Sequence, residues 1–349
     1  MIDPFLIVRI LGFSALAFIA AMAWTPLVTH FLYKYRAGKQ IRSAETAPIF
    51  AKMHAAKEGT PTMGGVLVWG TTLAVALVFW ALAAMAPHSM FEKLNFLTRE
   101  QTYLPLGMLV FSALVGFIDD VLGIAKRGKN GGGLGMGHKI LLYAGIAFVG
   151  AWWFFYKLGW DIITIPFFGN VEIGWWYVPL FMFVIVATAF SVNETDGLDG
   201  LAGGVLAIAF AAYIFVAVVN GKAELAVLCS VIVGALLAFL WFNIHPARFF
   251  MGDTGAMSLG VTLGVIAMLT NTIFFLPLFG FMLVVESASV IVQVASKKLR
   301  GKKIFLSTPI HHHFEAIGWP ETKVTMRFWI ISAIAALLGI ALFVLERSI

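Results

Sequence analysis

The sequence predicts an all-α, polytopic integral membrane protein, and three observations carry that prediction. Sixty per cent of its 349 residues are hydrophobic and only 12% are charged, a balance outside the range of water-soluble domains. Mean hydropathy is +0.92. The apolar residues fall into long runs separated by short polar inserts, and a run of about 20 residues is what a helix needs to cross a hydrocarbon core.

Ten such runs are predicted to span the membrane, at 5–32, 64–86, 102–118, 140–156, 175–192, 201–219, 223–242, 255–271, 273–295 and 326–345. The first is long and lacks the small-residue exit of a cleaved signal peptide. The eighth and ninth nearly touch, with Pro277 close to their junction. Segment 159–174, GWDIITIPFFGNVEIG, has β-branched runs around a Gly-Asn pair, which predicts a small periplasmic hairpin lying on the membrane. The single cysteine, Cys229, sits inside an apolar run. It excludes a disulfide framework and a cysteine metal site, and it reads as a packing residue.

Orientation follows from lysine and arginine, which gather on the cytoplasmic side. Loops 33–63, 119–139, 243–254 and 296–327 hold six, four, one and seven of the 24. These loops, together with the acidic loop 193–200, are therefore placed in the cytoplasm, and both termini lie outside. No internal repeat or soluble domain stands out. The expected organisation is one transmembrane domain over residues 1–349, its site built from those five loops.

The polar inserts carry the chemistry, because a polar loop at membrane depth is costly unless something requires it. Asp119 and Asp120 close the third run in GFIDDVLGIAKRGK. Adjacent carboxylates repel, and these sit at the negative end of a helix dipole. Acids cap N-termini, so capping is not expected to explain them. They read as a solvated pair at the membrane edge, or as a pair kept ionised by a metal or by Lys126, with a general base as a further role. In SVNETDGLDGLAGG, Asp199 is placed to cap the sixth run, whereas Asn193 and Asp196 exceed what one cap needs. The glycines there permit close approach to a ligand.

Asp253, in WFNIHPARFFMGDTG, reads as an N-cap of the eighth run or as a carboxylate that places Mg2+ beside a phosphate at a helix N-terminus. Phe249 and Phe250 read as interfacial anchors, or one as a stacking surface for a base. His311, His312 and His313 cannot all reach one metal from a regular helix or strand, so anion binding or proton handling is expected instead of a zinc site. Lys57, in KEGTPTMGG, reads as a positive-inside lysine or a ligand-binding one, and Thr62 belongs to a stiff entry into the second run. Residues 123–130 resemble a P-loop only superficially, since they follow a membrane helix and lack the Ser or Thr that would hold Mg2+.

Hard oxygen donors favour Mg2+, or Mn2+, over zinc. The placement suits one soluble phosphorylated substrate and one lipid substrate, and no nucleic acid. Ionisable groups gather at one membrane edge, with Glu286 the main exception inside a span. That disfavours the alternative of a transporter, whose ionisable groups lie near the midplane.

Together the strings KEGTPTMGG, GFIDDVLGIAK, NETDGLDGLAGG, WFNIHPARFFMGD, VVESASVIVQVASKKLRGKKIF and PIHHHFEAIGWPETKV resemble the MraY family, the bacterial phospho-N-acetylmuramoyl-pentapeptide transferases. The family belongs to the polyprenyl-phosphate N-acetylhexosamine-1-phosphate transferase superfamily. The histidine string separates it from sister enzymes that use UDP-GlcNAc, which are the alternative reading. The resemblance implies that undecaprenyl phosphate attacks the β-phosphate of UDP-MurNAc-pentapeptide, giving lipid I and UMP at the cytoplasmic face of the bacterial inner membrane, in a chain that is a candidate homodimer. It implies that Asp253 is the Mg2+ ligand, that Asp119 prepares the lipid phosphate, and that Asp120 supports metal or charge placement. Asp119 and Asp120 are further candidate ligands, and His312 joins the catalytic set. Lys57, Asn193, Asp196, Asn243 and Phe250 would bind the substrate on its uridine side, with Phe250 stacking on uracil, and Thr62 is a further substrate-binding candidate. Asp199, Gln293 and His312 or His313 would line the nucleoside-sugar and phosphate region, His311 is a further substrate-binding candidate, and Lys126 and Lys139 would hold phosphates. Glu194, where the family usually has an apolar residue, and the glycine-rich stretch before Lys139 are departures from its pattern.

Overall fold

Eleven helices that matter for the site are α1 (Pro4–Lys34), α2 (Val66–Met85), α3 (Tyr103–Ile124), α4 (Met136–Trp152), α5 (Tyr177–Thr195), α6 (Leu201–Val219), α7 (Ala223–Asn243), α8 (Gly252–Leu269), α9 (Phe281–Arg300), α10 (Ile310–Ala316) and α11 (Glu321–Ser348). They are seen in a computed structural model that describes residues 3–35, 37–38, 57, 59–125 and 133–348. Lys126 and most of loop 33–63 lie outside the described residues. Among those described, nine helices are long and apolar enough to cross a membrane, and the chain is an all-α, multi-pass membrane protein.

The ninth expected span, 273–295, takes a different form. A short helix, Leu276–Phe279, breaks at Gly280, and α9 then runs on to Arg300. Helix α9 is amphipathic with its polar side inward. Glu286, Ser289, Gln293 and Ser296 are buried on it, while Ile291, Val294 and Leu299 are exposed. The spacing of the inner residues puts them on one helix face. With lipid outside and a polar site inside, this is the orientation that leaves fewest polar groups in hydrocarbon.

Helix α8 is the central post. Of its spanning window 94% is buried, against 22% for α1. It packs chiefly against α3 and α5, while α7 lies between α1 and α6, and α11 covers α6. Hydroxyls inside the spans return their protons to the preceding turn, as Thr71 does to the Leu67 carbonyl at 2.6 Å and Thr262 to that of Ser258 at 2.7 Å. Such a bond satisfies the hydroxyl proton within its own helix.

The α3–α8 contact is close because Gly116 has no side chain. A Cβ there would lie 2.3 Å from the Asp253 carbonyl oxygen, whereas one on Gly107 of the same helix meets open space. Gly116→Ala is therefore expected to destabilise the protein by about 1–3 kcal/mol through overpacking, and Gly107→Ala to leave it unharmed. Melting temperatures of the detergent-solubilised variants check the difference.

The expected hairpin is present as β1 (Ile162–Ile165) and β2 (Gly169–Glu172), antiparallel, with Ile162 opposite Glu172 and Ile165 opposite Gly169. The Gly-Asn pair opens β2 and is not the turn. Chain reversal falls on Pro166, Phe167 and Phe168, where Phe167 takes a φ of +66° and Gly169 one of +88°. The Asn271 side chain accepts from the Thr164 N–H at 3.0 Å and ties the hairpin to the end of α8.

Candidate active site

The N-terminus of α8 organises the site. Its first turn has no side-chain cap of its own, and a helix start leaves backbone N–H groups that need acceptors. Asp120 supplies them from the end of α3: Oδ1 accepts from the Asp253 N–H at 3.1 Å and Oδ2 from the Thr254 N–H at 2.9 Å. Asp196 accepts from the Gly252 N–H at 3.3 Å. Gly252 has a φ of +73° and lies against Asp120 and Thr62, whose oxygens would each sit 2.7 Å from a Cβ there. Capping thus does explain Asp120, contrary to the sequence expectation, because the helix it caps is not its own.

The Asp253 side chain projects from this start into a web of polar partners. Oδ1 accepts from the Asn193 amide and Oδ2 from the Lys139 ammonium at 2.6 Å. The same ammonium lies 2.9 Å from Asp119 Oδ2, and Asp119 Oδ1 accepts from the Leu134 N–H at 2.6 Å. Two carboxylates therefore converge on one cation. That cation is Lys139. A small cavity opens beside them, lined by Asp119, Lys139, Asp253 and Tyr143 over an apolar floor that includes Val115 and Met257. Tyr143 carries no sequence signal, since a tyrosine in an apolar run reads as core.

A second polar cluster lies where the 193–200 loop meets α11. Lys57 Nζ is 2.7 Å from Asp199 Oδ1 and 2.5 Å from Glu321 Oε1. His245 Nδ1 lies 2.9 Å from Asp199 Oδ2, which also accepts from the Ala247 N–H at 3.1 Å. Asp199 does not cap α6. The cap position is Gly200, at a φ of +76°. Asp199, His245 and Glu321 hold ligand atoms within 4.8 Å of one another, a geometry that could take a metal ion, and the Lys57 ammonium is already among them. Sequence reading gave His245 no role and passed over Glu321, which looks like an ordinary first-turn acid of α11.

Burial of the Asp199 carboxyl tends to raise its pKa, but the Lys57 ammonium, the Ala247 N–H and the His245 ring outweigh burial and hold it below the usual carboxylate range. A depressed folded-state value means stability present above the unfolded pKa and lost as pH falls through the folded one. Lys57→Met leaves Asp199, 3% exposed, beside a second acid, and is expected to cost about 3 kcal/mol near neutral pH. The deficit should shrink as acid protonates Asp199. Thermal melts of both proteins between neutral and acid pH read this out.

Phe250 borders the second cluster. Its ring lies 5.8 Å from Lys57 Nζ, and its backbone is pinned by bonds to Pro61 and Gly64. Phe249 is instead fully buried against Phe239 and Phe242, so of the two rings only Phe250 is placed to meet a ligand. Asn243 is buried with both ends engaged: it accepts from the Gly200 N–H at 3.1 Å and donates to the Phe249 carbonyl at 2.9 Å. Gln293 likewise accepts from Ile304 and Phe305 and donates to the Phe305 carbonyl. Of the histidines, His311 is fully buried, His312 pairs with Glu315 at 2.7 Å, and His313 Nδ1 accepts from the Leu306 N–H at 3.3 Å.

A family model described as Glycosyl transferase family 4 matches residues 102–271. A second, described as phospho-N-acetylmuramoyl-pentapeptide-transferase signature 1, matches residues 57–67. A phospho-N-acetylmuramoyl-pentapeptide-transferase of Chloroflexus aggregans is 36% identical over 97% of this chain and 91% of its own length. Relatives of the same name are 38% identical in Geobacillus kaustophilus, over 93% and 95% of the two chains, and 37% identical in Methylacidiphilum infernorum, over 90% and 87%.

Proposed function

Because the chain belongs to the phospho-N-acetylmuramoyl-pentapeptide-transferase family, we propose that its site works at the cytoplasmic face of the bacterial inner membrane, with Asp253 and Asp119 holding Mg2+. The protein is a phospho-sugar transferase of peptidoglycan synthesis and moves phospho-N-acetylmuramoyl-pentapeptide from a nucleotide sugar to a lipid carrier. The donor is UDP-MurNAc-pentapeptide and the acceptor undecaprenyl phosphate. An oxygen of the lipid phosphate bonds to the β-phosphorus, the bond from that phosphorus to the bridging oxygen breaks, and UMP leaves with the electron pair.

The convergence of Asp119 and Asp253 on one ammonium carries this reading, because the same two hard oxygens suit Mg2+. A divalent ion there supplies charge neutralisation for the pyrophosphate and the leaving UMP. Asp120, with both oxygens on backbone N–H groups, positions Asp253. Asn193 orients the Asp253 carboxylate, and Lys139 offers its ammonium to a phosphate. Phe250 stacks on the uracil, with Lys57 and Asp196 beside it.

A phosphate monoester is largely ionised near neutral pH, its second pKa being about 6, so Asp119 orients the lipid phosphate more than it deprotonates it. That favours a single displacement. Trapping a labelled sugar phosphate on the protein without lipid phosphate would overturn the single step. Purified protein should release UMP from UDP-MurNAc-pentapeptide only with both undecaprenyl phosphate and Mg2+. Release from UDP-GlcNAc alone would defeat the assignment of donor.

A further inference from the structure

Glu286 and His311 are both fully buried, and neither has a place in the chemistry above. His311 Nδ1 lies 3.0 Å from Glu286 Oε2, within ion-pair distance, and none of the polar atoms of the two side chains makes a hydrogen bond among the described residues. Buried ionisable groups persist where they answer each other. The far edge of the His311 ring rests on the 193–200 loop: a Cβ at Gly197 would lie 2.2 Å from Nε2. That segment, the last turn of α5 and the turn that follows it, carries Asn193, bonded to Asp253, Asp196, bonded to the start of α8, and Asp199, bonded to Lys57. Beside Glu286, the hydroxyls of Ser287 and Ser191 meet at 2.6 Å and fasten α9 to α5.

The His311 ring is thus a wedge with Glu286 behind it and a glycine in front. It has no open face from which to touch a substrate. We propose that Glu286 and His311 are a positioning pair that fixes the 193–200 loop against the start of α8, and so sets affinity for the nucleotide sugar. This rests on the transferase reading for its assay, and replaces the expectation that His311 contacts substrate. His312, whose ring centroid is 4.0 Å from that of His311, keeps the role of candidate catalytic histidine.

The test uses the full chain in lipid nanodiscs. Calorimetry gives affinity for UDP-MurNAc-pentapeptide, and UMP release gives kcat. Gly197→Ala and His311→Ala should each weaken binding about tenfold, a loss of about 1.4 kcal/mol. The double variant should bind better than Gly197→Ala alone, because the added methyl enters the space the ring has left, and contacting sites are non-additive. A double variant as weak as the two losses combined would overturn the wedge.

At saturating substrate His311→Ala should keep kcat within about tenfold, whereas loss of an acid–base group costs about a hundredfold or more, and that larger loss would also overturn it. Glu286→Gln should bind almost as wild type, since it keeps the shape and a polar oxygen facing Nδ1, while Glu286→Leu should not. Equal losses in the two would sink the pair. A wild-type protein without UMP release would instead defeat the transferase reading and leave the binding comparison standing.

Discussion

Replacing Asp253 by Asn should reduce turnover by about a thousandfold or more, in keeping with the loss of a main electrostatic stabiliser. The change is nearly isosteric, and the backbone N–H that Asp120 accepts is untouched, so the helix start should survive. What disappears is one of two negative charges facing the Lys139 ammonium. If those oxygens also receive the metal, Mn2+ titrated into the variant and followed by electron spin resonance should bind far more weakly than to wild type. Turnover within about tenfold of wild type at saturating Mg2+ would remove Asp253 from the metal site.

Asp120→Ala should be nearly as damaging, by a different route. It strips acceptors from two backbone N–H groups at the buried start of α8. Each unsatisfied donor costs about 1–3 kcal/mol, so the loss of stability should be a few kcal/mol, and Asp253 should lose its aim with it. Asp120→Asn retains one acceptor oxygen and should recover part of the melting temperature. The comparison separates cap from ligand: a residue that held only metal would lose activity in the Asn variant with no change in thermal stability.

The runs that became helices were legible because lipid imposes a simple rule on length and apolarity. Helix α9 escaped that rule. Its apolar residues line one face, and its buried face is polar, so a sliding average sees a span where the structure has an amphipathic helix after a break. The inserts were legible as polar anomalies, and their shared side followed from Lys and Arg. Their internal pairing was not. That Asp120 would accept from a helix start 134 residues downstream, and that Lys139 would sit between Asp119 and Asp253, depend on how α3, α4 and α8 pack, which no local spacing records. Glu321 and His245 were invisible for the same reason, since each looks ordinary until Asp199 and Lys57 arrive beside it. Phe249 and Phe250 are adjacent and chemically alike, and only the packing of Phe249 against Phe239 and Phe242 tells them apart.

The enclosure of α8 bears on how the chain is made. The best-placed window of α8 has a hydropathy of 1.4, against 2.3 for α1 and 2.7 for α11. It is rich in glycine, serine and threonine, a composition suited to tight helix packing and poorly suited to lipid. Such a segment gains little by partitioning from the insertion machinery into the bilayer unaided. Its two main neighbours, α3 and α5, are synthesised before it, so the groove that will shield it exists when it emerges. Membrane integration of α8 is then expected to depend on helices already in place, and substitutions in α3 that close the groove should act first on biogenesis and only afterwards on turnover.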